Sequence, residues 1–199
     1  MGSTEKLFAE LEEKRKNISI AAVKTFAVKR FDRATVEEIA TSAGVGKGTF
    51  YLYFNSKEEL LSFLFDHGIK KLIEYVQQEI KKGRTPSEKL KIAISAQLDF
   101  NYSYEEYINF FLREFWNYRE ELKKQVYKLR EEYIVIFQDI IEKGIEKGEF
   151  KDVDAETISS GLFGMLNISS THWTIFSDEF PIEDMEESIK KVFLEGIIN

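Results

Sequence analysis

The sequence predicts an all-α protein of about nine helices, and three observations carry that prediction. Apolar residues recur at helical spacing through the long segments, and no convincing strand pattern interrupts them. Helix starts are marked by Ser or Thr with Glu three residues later, at Thr35/Glu38, Ser56/Glu59, Thr85/Glu88 and Ser103/Glu106. Stops fall on Gly44, Gly83 and Gly148, and of the two prolines in 199 residues Pro86 stands at a first helical position, where its missing N–H costs nothing.

Residues 5–30 read as the first helix. Thr35 then caps a short second one, whose apolar stripe is Val36, Ile39, Ala40 and Ala43. Gly44 sits where the stop requires positive φ, and Val45 is an apolar plug between two crossed helices. A third helix runs from Gly46 to Phe54 with Phe50 and Phe54 one turn apart on its buried side. Its other face presents Lys47, Gly48, Thr49, Tyr51 and Leu52, with Tyr53 nearer the edge. A helix of about two turns that exposes aromatics and a cation but no acid suits a nucleic-acid surface, so residues 35–57 have the pattern of a helix-turn-helix. A long amphipathic helix follows from Ser56 to about Lys82, another from Pro86, and a short aromatic one after Ser103. The last three run from about Arg119 to Lys147, from Asp154 to Phe176 and from Pro181 to Ile198.

Composition narrows the function classes. The chain is 43% hydrophobic and 14% aromatic, ample for a core. It has no cysteine, which excludes disulfides, thiolate catalysis and Cys-ligated metal. No apolar run approaches membrane-spanning length and none at the start has signal-peptide character, so the expectation is a cytoplasmic protein without membrane association. The net charge of −7 is unevenly divided. Residues 1–60 hold ten Lys and Arg against nine Asp and Glu, a net of +1; the remainder hold 18 against 26, a net of −8. Lys14, Arg15, Lys16, Lys29, Arg30 and Arg33 can form a local basic rim beside the helix-turn-helix.

The segment from Ala21 to Leu61, AAVKTFAVKRFDRATVEEIATSAGVGKGTFYLYFNSKEELL, resembles the DNA-binding module of the TetR family of bacterial transcriptional repressors. Thr35, Ile39, Ala40, Ala43, Gly44, Val45, Gly48, Tyr51, Tyr53, Phe54, Lys57 and Leu60 match that family's motif in order. The resemblance implies a helix-turn-helix DNA-binding domain over 1–60 and a helical effector-binding and dimerisation domain over 61–199. It implies that Lys47, Gly48, Thr49, Tyr51 and Leu52 face the major groove of double-stranded operator DNA, and that Thr35, Tyr53 and Lys57 hold phosphates. Gly46 departs from the family's usual Ser or Thr, so a reading helix ordered only on DNA is expected; Tyr53 replaces a common histidine.

Two further expectations follow from that resemblance. The last two helices pair with their symmetry mates in a homodimer, with Leu162, Met165, Ile189, Val192 and Phe193 at the interface beside the small residues Gly161 and Gly164. Two reading helices about 34–36 Å apart then meet two half-sites. The aromatic middle, with Tyr102, Tyr104, Tyr107, Phe110, Phe111, Phe115, Trp116 and Tyr118 inside seventeen residues, encloses a small apolar or aromatic effector. Candidate ligand contacts are His67, Tyr107, Phe111, Phe115, Asn167 and Trp173, with Gln97, Asn101 and His172 as further polar residues able to orient it.

The competing classes are a helical interaction protein without DNA binding and a small helical enzyme. The two histidines, His67 and His172, lie far apart in sequence, and neither has a metal-ligand neighbour at i+3 or i+4. No phosphate loop, dinucleotide fingerprint or nucleophile elbow occurs. The adjacent Glu105–Glu106, Glu120–Glu121 and Glu131–Glu132 point in different directions on a helix and make poor acid–base pairs. The expectation is a ligand-responsive repressor, not an enzyme, with no cofactor, no metal and no catalytic residue.

Overall fold

The computed structural model describes residues 3–115, 120–176 and 182–198, with side chains for 4–114, 127–128, 130–170 and 183–198. Among them are ten α-helices: α1 Ser3–Leu7, α2 Glu13–Lys29, α3 Val36–Ser42, α4 Lys47–Tyr53, α5 Lys57–Glu79, α6 Pro86–Ser103, α7 Glu105–Phe115, α8 Glu120–Glu146, α9 Ala155–Phe176 and α10 Ile182–Ile197. Short 3₁₀ turns at Phe31–Arg33 and Ile80–Lys82 complete them, and an isolated bridge joins Phe150 to Ile198. No described helix is long and apolar enough to cross a membrane.

Two boundaries differ from the sequence reading. The expected first helix is broken between Leu7 and Glu13, where the chain turns through the Ala9 N–H to the Lys6 carbonyl at 3.2 Å and the Leu11 N–H to the Phe8 carbonyl at 3.1 Å. Ser103 belongs to the last turn of α6 and does not start α7; Glu106, expected to complete a capping box there, accepts a hydrogen bond from the Thr4 hydroxyl. The other starts hold. Thr35 and Glu38 form a reciprocal capping box, Thr85 accepts from the Glu88 N–H at 3.1 Å, and Ser56 accepts from the Glu59 N–H at 3.0 Å. Gly44 takes φ 68° and Gly148 φ 69°, as helix stops of this kind require, whereas Gly83 is extended.

The chain divides into two compact units, Met1–Gly68 with Tyr104–Tyr127, and Ile69–Ser103 with Lys128–Asn199. The aromatic helix α7, placed by sequence beyond residue 60, therefore belongs to the same unit as the helix-turn-helix. The core of the first unit is built from Phe8, Phe26, Phe50, Phe54, Phe65, Tyr107 and Phe110. In the second, Leu90, Ile94, Tyr133, Phe137, Phe150, Leu162, Leu166 and Ile189 are buried together. α5 begins in the first unit and ends in the second.

Candidate functional site

The helix-turn-helix is set by its turn. Val45 N–H reaches the Ala40 carbonyl at 2.9 Å and Gly44 N–H the Thr41 carbonyl at 3.1 Å, so the end of α3 is satisfied before the chain reverses. α4 then forms from Lys47 with Gly46 as an extended N-terminal residue and no side-chain cap. The helix is present despite that missing cap, because Phe50 is fully buried and anchors its inner side. Lys47 and Gly48 are exposed, Thr49 is half-buried, Tyr51 is 47% exposed and Leu52 82%. Four of the five residues expected to face the groove are thus exposed on one short helix. Thr35 is exposed as well; its hydroxyl oxygen accepts from Glu38 N–H and so keeps its proton for another acceptor.

Two of the expected phosphate groups are engaged inside the protein. Lys57 Nζ donates to the Phe31 carbonyl at 2.7 Å and the Ala34 carbonyl at 2.8 Å, and lies 4.3 Å from the Phe31 ring centre. This ammonium fastens the turn between α2 and α3, and with two donors committed its place is structural before it is electrostatic. Tyr53 Oη donates to the Glu12 carboxylate at 2.9 Å, and that hydrogen bond holds the phenol above its ordinary pKa. The basic rim is also narrower than its residue count. Arg15 stacks on Phe63 and Phe54, and Lys29 pairs with Glu38, whose carboxyl is held below the usual range by that lysine and by Thr35.

Sequence reasoning missed a clamp on the same turn. Arg113 on α7 donates to the carbonyls of Phe26 and Ala27, and the buried Glu114 accepts from Phe31 N–H at 3.4 Å. Arg30, between them, sits at φ 65°, a conformation that glycine adopts more readily. The available signal was two charges inside the apolar run FFLREFW.

Four of the six expected ligand contacts have described side chains, three in the first unit and one in the second. His67 is buried against Phe8, ring centres 5.0 Å apart, and its Nε2 lies 2.9 Å from the Leu7 carbonyl. Tyr107 Oη donates to the Leu64 carbonyl at 2.9 Å, and Phe111 meets the Phe65 ring edge-on at 5.0 Å. His67 and Tyr107 are buried in the first unit, their polar atoms engaged with the Leu7 and Leu64 carbonyls, and Phe111 is half-buried beside them. Asn167 belongs to the second unit and donates to the Phe163 carbonyl of its own helix at 2.7 Å. The side chains of Phe115 and Trp173, like those of Trp116, Tyr118 and His172, lie outside the described residues.

The second unit holds a different polar group in its interior. Tyr133 on α8 donates to Gln97 Oε1 on α6 at 2.7 Å, and burial pushes the Tyr133 phenol well above its ordinary pKa. One turn along α6, Asn101 donates to Ser170 on α9 at 2.9 Å. Gln97 is 0% exposed and its Nε2 has no hydrogen-bond partner. An unmet buried donor of this kind costs about 1–3 kcal/mol.

The five proposed interface residues also divide. Leu162 and Ile189 are buried in the protomer's own core, and Met165 and Phe193 pack partly against it. Val192, at 64% exposed, is left outside with Ile168. A Cβ built on Gly161, Gly164 or Gly196 would meet nothing, so these positions on α9 and α10 are open to a close-approaching helix.

Comparison with known proteins places this arrangement. Residues 18–62 match the bacterial regulatory proteins of the tetR family, and residues 83–197, more than half of the chain, match the tetracyclin repressor-like C-terminal domain. The chain belongs to the TetR family of bacterial transcriptional regulators. It is 28% identical over 180 residues to the fatty acid metabolism regulator protein of Bacillus subtilis, covering 90% of this chain and 93% of that one. The solved structure of FadR from Bacillus subtilis in complex with stearoyl-CoA superposes with a TM-score of 0.84 at 28% identity, over 90% of this chain and 97% of that one. The fatty acid degradation regulator FadR from Bacillus halodurans gives a TM-score of 0.87 at 25% identity, over 94% and 97%. The relatives are regulators, and α4 lies inside the segment that matches the tetR family.

Proposed function

We propose that this protein is a homodimeric repressor that leaves its operator when a long-chain acyl thioester binds in the second unit. The observation that carries the reading is the 28% identity, across nine-tenths of both chains, with a regulator whose structure holds stearoyl-CoA. On this reading Lys47, Gly48, Thr49, Tyr51 and Leu52 meet the major groove, Thr35 and Tyr53 meet phosphates, and Lys57 keeps the α2–α3 turn in register. Tyr53 must exchange its Glu12 partner for a phosphate oxygen to do so. The dimer forms through the open face of α9 and α10, where Gly161, Gly164, Ile168, Val192 and Gly196 lie. α5 carries the signal, since one end lies in the unit that holds the reading helix and the other in the unit that would hold the ligand.

The coupling is expected at about 1–3 kcal/mol per site, roughly a 5- to 150-fold change in affinity, and it must be reciprocal. An operator selected from random duplexes supplies the second ligand for calorimetry. Stearoyl-CoA should bind more weakly to the operator complex than to the free protein, by the factor with which it weakens operator binding. Equal stearoyl-CoA affinity in both states would leave the protein without this control.

A further inference from the structure

The amide of Gln97 is the one described side chain in the second unit whose buried polar atom lacks a partner. Turning the amide over does not help. Its nitrogen would then face the Tyr133 hydroxyl, but the amide oxygen and the hydroxyl proton would both go unmet. The observed orientation is fixed by Tyr133, whose ring is itself held edge-on by Phe137 at 5.3 Å and Phe163 at 6.0 Å. The hydroxyl stays protonated because burial disfavours the phenolate. The donor is therefore preorganised, and the helix that carries it also buries Ala93, Ile94 and Leu98 in the core of the unit. A neutral acceptor on an otherwise apolar molecule satisfies it; a carboxylate would carry an unpaired charge into the same core.

We infer that Gln97, oriented by Tyr133, is the interior donor that receives the carbonyl oxygen of the effector, which makes the protein selective for acyl over alkyl chains. The inference rests on the acyl-thioester reading above. It assigns the selectivity to α6 and α8, not to the aromatic cluster of the first unit.

The test compares stearoyl-CoA with S-octadecyl-CoA, a thioether of equal chain length that lacks the carbonyl, by calorimetry on the full-length protein. Wild type should bind the thioester about five- to tenfold more tightly, the worth of one buried hydrogen bond. The double variant Gln97→Met with Tyr133→Phe removes donor and orienting group together. It should bind both molecules within about twofold, with a melting temperature no lower than that of wild type, since no buried polar atom is orphaned. Should the double variant not fold, Gln97→Met alone is put through the same comparison and should lose the preference for the thioester. Equal binding of both molecules by wild type, or full discrimination retained in the variant, overturns the role of Gln97 while leaving the acyl effector intact. Binding of neither molecule removes the acyl reading and the inference with it.

Discussion

Lys47 and Lys57 stand ten residues apart, at the starts of α4 and α5, in different surroundings. Lys47 is exposed at the start of α4 with no ion pair among the described residues. Lys57 is tied to the Phe31 and Ala34 carbonyls. Lys47→Ala should flatten the salt dependence of operator binding by about one unit while leaving stability near wild type. Lys57→Met should instead cost about 1–3 kcal/mol of stability, because the charge-assisted bonds are lost, and should weaken operator binding at an unchanged salt slope. Fluorescence anisotropy across a salt series, beside urea unfolding, separates them. A stable Lys57→Met protein with a flattened slope would return that lysine to the phosphates. Motif matching could not make this distinction, since the carbonyls that hold Lys57 come from residues 23 and 26 positions earlier in the chain.

At the scale of elements, the close approach of α5 and α7 is set by one glycine. A Cβ on Gly68 would fall 2.0 Å from Tyr107 Oη and 2.2 Å from the adjoining ring carbon. The ring cannot swing clear without breaking the bond from Oη to the Leu64 carbonyl. Gly68→Ala should therefore destabilise by about 1–3 kcal/mol, the usual range for overpacking. In a Tyr107→Leu background the same substitution should cost much less, leaving a coupling above about 0.5 kcal/mol in a double-mutant cycle read by urea unfolding. Strict additivity would mean that the two helices do not meet there. The helices themselves were largely legible: caps at Thr35, Ser56 and Thr85 and stops at Gly44 and Gly148 act over three to five residues, a range that sequence displays. Ser103 misled because it closes α6, so that the four-residue pattern straddles the end of one helix and the start of the next, and the partner that captures Glu106 is Thr4, 102 positions away.

For the whole molecule, assembly turns on which apolar residues the protomer leaves uncovered. Ile189 and Val192 are one turn apart on α10, yet the first is 5% exposed and the second 64%. Val192→Glu should yield a folded monomer that binds operator weakly, whereas Ile189→Glu should fail to fold, since a buried unpaired charge is not tolerated. Sedimentation equilibrium with circular dichroism reads both outcomes. A Val192→Glu protein that still sediments as a dimer would move the interface off this face.

The sequence by itself determined the all-α class, the helix-turn-helix from Thr35 to Lys57 and the regulator family, because each is written in short-range spacing and in a motif that only a few backbone geometries can satisfy. Only the tertiary structure decided what the polar and aromatic residues do. His67 and Tyr107 are buried in the first unit with their polar atoms on the Leu7 and Leu64 carbonyls, whereas Gln97, one polar residue among several, emerged as a buried donor without a partner. The physical reason is that burial and hydrogen-bond satisfaction depend on which distant side chains arrive at a point in space, and periodicity along one helix carries no record of them.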